Sequence, residues 1–395
     1  MSTLRHPAGV GEGSRRRVSL ALVVAAVLVG VWAPQGVGAA VVGQRLPLEQ
    51  VPLPSPPEVT AQTWLVYDET YDRVLAEHLA DESRPMASTT KMMTALVALE
   101  RGDLDDLVTV SEEAAAVGEA EIGLVAGERL PLEALIASLL LQSANDAAMA
   151  IAEHIGGDVD AFVALMNEEA ARLGLEETRF ANPHGLDAAG HYSSARDLLT
   201  IARAGMAIPM FAELVGSRSF ELPPAPEGAK RVARSTNELV ATYDGAFGVK
   251  TGYTDRAGLV LIAGADRAGR RVYAVVMGSE DHFADAARLM NYAFDEFALL
   301  TVVEPSEVYG LIRTSEGTSE AIADGQIDVF APSAQASDVV ITPTIENGEP
   351  SVQAALGGDV LGASALHAEP TGRLPGLLDS FAWASRYWDW LWGND

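Results

Sequence analysis

Residues Ala87 to Leu99 read Ala-Ser-Thr-Thr-Lys-Met-Met-Thr-Ala-Leu-Val-Ala-Leu. The run follows Pro85 and ends close to Gly102, so the spacing predicts a helix of about four turns with a glycine stop. Its interior is apolar on every side, and only a helix buried at the centre of a fold tolerates that. Ser88 and Lys91 nevertheless stand in its first turn, three residues apart and therefore on one face. A hydroxyl beside an amine, at the positive end of a buried helix, is a way to build a nucleophile. The free N–H groups of such an end also suit a developing oxyanion. Taken alone, the spacing fits a serine cap with a solvated lysine nearby better than it fits chemistry.

Lysine usage changes that balance. The chain has three lysines, Lys91, Lys230 and Lys250, among 27 basic residues. Arginine cannot be deprotonated, whereas a desolvated lysine can act as a base. One surviving lysine stands three residues after a serine, and another stands in Val249-Lys250-Thr251-Gly252. GC-rich codon usage explains scarcity but not these placements.

The 395 residues suffice for one large catalytic domain and one small one. The formal charge is −28; the first 39 residues carry a net +3, so their removal leaves −31. Such a surface repels nucleic acid, which excludes that class of partner. With no cysteine, thiol catalysis and disulfides are excluded too. Arg15-Arg16-Arg17, the apolar run Val18 to Ala33 and the small residues Val37-Gly38-Ala39 form an export signal over residues 1–39. Five prolines between residues 41 and 57 mark an extended linker, placed at 40–60.

Thr63 to Asp68 and Val74 to His78 read as a strand hairpin. After the central helix, Ser111 to about Arg172 reads as helical. Within it, Leu139-Leu140-Leu141 breaks off into Gln142-Ser143-Ala144-Asn145-Asp146 before the apolar pattern resumes. That is either an ordinary helix cap or a polar turn that presents Ser143 and Asn145 to a cleft. Asn182-Pro183-His184-Gly185 is turn chemistry, and Ser193 or Ser194 caps a further helix. His184 and His191 invite a metal hypothesis, but the histidines show no ligand spacing, so no metal and no cofactor is expected. Phe247 to Thr254, Gly258 to Ala265 and Arg271 to Gly278 read as strands, followed by a helix from about His282 to Leu299. The order predicts an α+β fold: a five-stranded antiparallel sheet covered by helices, over residues 61–300. On its strand, the small Gly252 lets a substrate backbone lie alongside the sheet. Residues 301–372 read as a small β-rich domain without discernible chemistry. Residues 373–395 place Leu377, Phe381, Trp388 and Trp392 on one face of an amphipathic helix suited to a membrane interface. Docking of that helix on the protein itself is the competing reading.

Ser88-Thr89-Thr90-Lys91, Ser143-Ala144-Asn145 and Lys250-Thr251-Gly252 follow one another within one domain-sized span, an ordered set shared by β-lactamases and penicillin-binding proteins. Together with Asn182-Pro183-His184-Gly185-Leu186 and Lys250-Thr251-Gly252-Tyr253-Thr254, they make residues 60–300 resemble the D-alanyl-D-alanine carboxypeptidases. These are low-molecular-mass penicillin-binding proteins of serine peptidase family S11. The resemblance implies a β-lactamase/transpeptidase-like fold, with peptidoglycan pentapeptide stems as substrate and β-lactam antibiotics as inhibitors. It also implies an exported protein on the outer face of the cytoplasmic membrane. By the same resemblance Ser88 is the nucleophile, Lys91 its base, and Ser143 a proton relay. Asn145 orients Lys91 and the substrate amide, Lys250 and Thr251 meet the terminal carboxylate, and the N–H groups of Ser88 and Tyr253 form the oxyanion hole.

One departure is Met277-Gly278-Ser279-Glu280-Asp281-His282, acidic where the family often carries a basic residue. Three other readings compete. A class A β-lactamase needs an E-x-x-L-N segment between Asn145 and Lys250, and there is none. A non-catalytic penicillin-binding sensor would have no need of the complete Ser/Lys/Ser/Lys set, nor a structural envelope protein of Lys91 and Lys250.

Overall fold

A computed structural model describes residues 54–314, 317–346 and 349–370. The expected export signal (1–39), the linker as far as residue 53 and the terminal helix (373–395) lie outside the described residues. The described chain falls into two compact units, Pro54–Phe297 and the residues from Ala298 onward.

In the first unit the expected hairpin forms from β1 (Thr63–Asp68) and β2 (Arg73–His78). The middle of the chain carries α1 (Lys91–Arg101), α2 (Glu112–Ala115), α3 (Leu132–Leu141), α4 (Asn145–Gly156) and α5 (Val159–Arg172). It continues with α6 (Ala195–Met206), α7 (Pro209–Gly216) and α8 (Leu239–Thr242). Two short antiparallel pairs lie among these helices, β3 (Leu107–Thr109) with β4 (Arg129–Pro131) and β5 (Ser219–Leu222) with β6 (Arg231–Arg234). β7 (Ala246–Thr254), β8 (Gly258–Arg267), β9 (Arg270–Ser279) and α9 (His282–Glu296) complete the unit. The main sheet runs β2-β1-β9-β8-β7 with every pairing antiparallel, so the two ends of the unit meet where Thr63 faces Met277.

Side chains alternate across this sheet. Leu65, Tyr67, Tyr273, Val275 and Met277 join the helical core around Met92, Met93 and Leu96 of α1. The intervening Val66, Ala274 and Val276 are buried on the other face, where α9 packs on β1, β8 and β9. From Lys91 to Ala98 every residue of α1 is buried. Each large apolar side chain so placed contributes roughly 1.5–3 kcal/mol, enough to hold a helix that also carries a buried lysine.

The elements differ from the sequence reading in three places. Ala87–Thr90 is a 3₁₀ turn rather than the first turn of the α-helix, which begins at Lys91. The Thr89 and Thr90 hydroxyls donate back to the carbonyls of Met86 and Ala87, tightening the chain there. Ser111–Arg172 is not helical throughout, because residues 116–131 form a loop and β4. Gly118, Gly123 and Gly127 take φ of +76°, +72° and +81° in that loop, which ends any helix. The last helix stops at Glu296 rather than Leu299. There the Arg270 guanidinium takes the carbonyls of Ala293 and Phe297, and the β-branched Thr301-Val302-Val303 continue as a strand.

The second unit is β-rich. β10 (Phe297–Val303) pairs with β13 (Ile327–Pro332), while β11 (Val308–Thr314), β12 (Gly317–Ala323), β14 (Val340–Glu346), β15 (Glu349–Leu356) and β16 (Asp359–Pro370) make a sheet in the order β11-β12-β16-β15-β14. Its small core centres on Val303, Val329, Val352 and Ala354. Among the described residues no single helix is long and apolar enough to cross a membrane.

Candidate active site

The site is assembled around the Lys91 amine, which is fully buried. Lys91 Nζ lies 2.9 Å from Ser88 Oγ and 2.7 Å from Asn145 Oδ1, and it also donates to the His184 carbonyl. The carboxamide orientation of Asn145 is fixed by its other end, since Nδ2 donates to Gly118 O at 3.1 Å. Two of the three neighbours, Asn145 Oδ1 and the His184 carbonyl, only accept. A neutral amine has two N–H groups to give them and one lone pair left for the hydroxyl of Ser88. Burial foremost, and the Lys250 charge next, hold the Lys91 amine well below the ordinary lysine range. The amine thus lies beside Ser88 and is biased towards its neutral form.

Each partner is placed by its own local chemistry. The polar turn between α3 and α4 exists as such, with Ser143 at φ +62° and Asn145 opening α4. Asn145 N donates to Ala120 O, and the Asp146 carboxylate accepts from the N–H groups of Ile122 and Leu124. The glycine-rich loop and the start of α4 thus brace each other. Ser143 is only 7% exposed, and its Oγ is buried without a hydrogen-bond partner among the described residues. An orphaned hydroxyl in a left-handed backbone is a strained, unsatisfied group, and such groups cluster at functional sites.

The carbonyl of His184 is presented by the turn at residues 182–187. Asn182 accepts from Gly185 N and donates to Leu186 O, Thr94 of α1 donates to Pro183 O, and Asp187 accepts from Thr254 of β7. Sequence reading noted this turn but missed that its backbone holds Lys91. The imidazole of His184 is no competing base. Its Nδ1 accepts from Leu186 N, and burial first, then the Lys91 charge, push its pKa down to about 3.

β7 carries Lys250, Thr251, Gly252 and Tyr253 past the Ser88 turn. A Cβ on Gly252 would come within 2.9 Å of Ser88 N and 3.1 Å of Thr89 N, so only glycine permits this approach. Lys250 is buried, donates to Thr251 O at 2.9 Å, and has its pKa lowered by burial to about 7. The hydroxyls of Thr251 and Thr236 lie 2.6 Å apart. Thr236, in Ser235-Thr236-Asn237, is a further site residue that carried no signal beyond a polar stretch before the strand. The Tyr253 side chain is exposed, and its hydroxyl donates to Asp255, leaving its backbone beside Gly252. In the acidic segment after β9, Asp281 caps α9 by accepting from Ala284 N.

A family model described as D-alanyl-D-alanine carboxypeptidase matches residues 50–281. The D-alanyl-D-alanine carboxypeptidase DacB2 of Mycobacterium tuberculosis is 37% identical over 63% of this chain and 86% of its own length. DacF of Bacillus subtilis is 31% identical over 66% of this chain and 69% of its own. Among solved structures, the Streptomyces K15 DD-transpeptidase aligns with TM-score 0.58 at 30% identity, covering 61% of this chain and 99% of that one. DacD of Francisella tularensis aligns with TM-score 0.63 at 21% identity, covering 81% of this chain and 96% of that one, a likeness of fold. With a match over more than half its length, the chain belongs to the D-alanyl-D-alanine carboxypeptidase family of serine peptidases.

Proposed function

We propose that the serine D-Ala-D-Ala carboxypeptidase activity that family membership gives this chain runs through an acyl-enzyme on Ser88. Lys91 takes the Ser88 proton as Oγ attacks the peptide carbonyl between the two D-alanines of a peptidoglycan stem. The backbone N–H groups of Ser88 and Tyr253 hold the oxyanion. Ser143 passes the proton to the departing amine, and D-alanine leaves. Asn145 keeps Lys91 and the substrate amide in register, while Lys250 and Thr251 bind the terminal carboxylate. Water then attacks the ester, returning Ser88 and releasing the shortened stem. A β-lactam presents the same carbonyl and acylates the same oxygen. What supports this reading above all is the Lys91 amine, whose two carbonyl acceptors leave its lone pair to Ser88.

The test is mass spectrometry after exposure to a labelled penicillin, together with assay of free D-alanine from a pentapeptide. One label on the peptide containing Ser88 is expected. A label on Ser143, or none on folded protein, overturns the assignment.

The substrate lies outside the cytoplasm, and export by residues 1–39 would put the protein there. Residues 373–395, with Leu377, Phe381, Trp388 and Trp392, would then hold it at the outer face of the cytoplasmic membrane.

A further inference from the structure

Ala87, immediately before Ser88, is a non-glycine residue at φ +50°, and something outside it must hold that conformation. Its carbonyl accepts the Thr90 hydroxyl proton at 2.8 Å. Having given its only proton to Ala87 O, Thr90 Oγ1 can only accept from His191 Nε2, which lies 2.8 Å away. The other ring nitrogen agrees, because His191 Nδ1 accepts from Ala181 N at 3.0 Å. One tautomer satisfies both ends, with the proton on Nε2. The relay runs from the Ala181 N–H through His191 and Thr90 to the Ala87 carbonyl. Ala87, Thr90 and His191 are 1%, 1% and 6% exposed, so water does not substitute for any link. Beneath the same carbonyl lies Gly185, where a Cβ would stand 2.1 Å from Ala87 O.

A peptide group is planar, so fixing the direction of the Ala87 carbonyl fixes the opposite direction of the Ser88 N–H. We propose that His191, acting through Thr90, is a positioning residue for the oxyanion-binding N–H of Ser88. This rests on the reading of Ser88 as nucleophile. Neither side chain touches the substrate. Both hold the peptide plane whose N–H meets charge that develops only in the transition state. Their loss therefore falls on kcat and the acylation rate rather than on KM.

The experiment compares Thr90→Val, Thr90→Ser, His191→Asn and His191→Gln in the full mature chain. It measures kcat and KM for a D-Ala-D-Ala peptide, the rate of β-lactam acylation, the affinity for a peptide boronic acid whose tetrahedral adduct mimics the oxyanion, and thermal stability. Thr90→Val is nearly isosteric and removes the relay hydroxyl. It should lower kcat, acylation rate and boronate affinity together by about ten- to a hundredfold, with KM within about twofold. Thr90→Ser restores the hydroxyl and should recover most of the loss. His191→Gln keeps a donor towards Thr90 and should outperform His191→Asn, which keeps only the acceptor for Ala181. Wild-type kcat and boronate affinity in folded Thr90→Val would overturn the proposal, as would a loss confined to KM or one that serine does not rescue. A wild-type penicillin label that maps away from Ser88 overturns the nucleophile instead, so the two failures are distinguishable.

Discussion

The two units bury very different things. Among the described residues, the one at Pro54–Phe297 buries Asp68, Lys91, Asp146, Glu169, Asp197, Lys250 and Asp285, whereas the β-rich one buries Gln335 alone among polar side chains. Burying a charge costs several kcal/mol unless partners offset it, so each buried charge in the first unit calls for a reason. The carboxylates have structural ones. Asp285 accepts from the N–H groups of Thr60 and Ala61 and from two hydroxyls, and Asp68 pairs with Arg270 at 2.7 Å. The lysines do not. Lys91 is ringed by acceptors yet held towards neutrality, and Lys250 is given one backbone carbonyl. The carboxylates are met by donors, whereas burial biases both lysine amines away from their charged forms. The β-rich unit shows neither kind.

The sharpest way to break this contrast is Lys91→Arg. Arginine puts a fixed cation in the place of the amine and cannot accept a proton, so acylation by a labelled penicillin should fall by at least about a hundredfold, within the range for losing a general base. Circular dichroism should still report a folded protein. A rate within tenfold of wild type would make Lys91 a fixed charge rather than a base.

Lys250→Ala should come next. Removing a charge-assisted contact of roughly 1.5–3 kcal/mol raises KM and lowers kcat/KM by about ten- to a hundredfold. The variant should also lose its preference for a free terminal carboxylate over its amide. Equal wild-type turnover of the amidated substrate would remove Lys250 from carboxylate recognition.

A subtler test uses pH. Burial lowers Lys250 to about 7, so in the free enzyme its charge is present below that pH and is lost as pH rises through it. Because binding needs the charge, kcat/KM should decline on the alkaline side of about pH 7. A bound carboxylate favours the ammonium, so kcat should persist to higher pH than kcat/KM. In Lys250→Arg the alkaline decline of kcat/KM should vanish, since arginine stays charged. An unchanged limb in that variant would assign the decline to another group.

The smallest catalytic effect is expected from deleting residues 373–395. Acylation in solution should stay within about twofold, the span of an ordinary surface change. Sedimentation with liposomes should be lost. Four large side chains at roughly 1.5–3 kcal/mol each make that binding apolar, so detergent and not salt should release the full-length protein. A full-length mature protein that ignores liposomes, or a truncation that unfolds, would mean the segment docks on its own chain.

Much of the first unit was legible because local chemistry and tertiary structure agree there. The strands at Thr63–Asp68, Ala246–Thr254, Gly258–Arg267 and Arg270–Ser279 carry the β-branched and apolar runs that mark them, and the order of elements implied one antiparallel sheet. Where reading failed, tertiary packing or backbone chemistry outweighed propensity. Residues 116–131 kept a helix-like apolar spacing, but their glycines turn left-handed and their backbone N–H groups go to Asp146. The final helix gave way at Glu296, where Arg270, from β9, takes the carbonyls of Ala293 in the helix and of Phe297 just past it.

By itself the sequence determined which groups are available for chemistry. A chain with three lysines places two in S-x-x-K and K-T-G, and sets Ser143 and Asn145 in a polar break between two apolar runs. Only the tertiary structure decided what those groups do. The His184 carbonyl that holds Lys91, the orphaned hydroxyl of Ser143, and the His191–Thr90 relay behind Ser88 are contacts between segments from 10 to 101 residues apart, or consequences of a backbone turned left-handed. No periodicity encodes them. The reason is physical: a backbone carbonyl looks alike at every position in a sequence, and only burial and direction make one of them a partner for a buried amine.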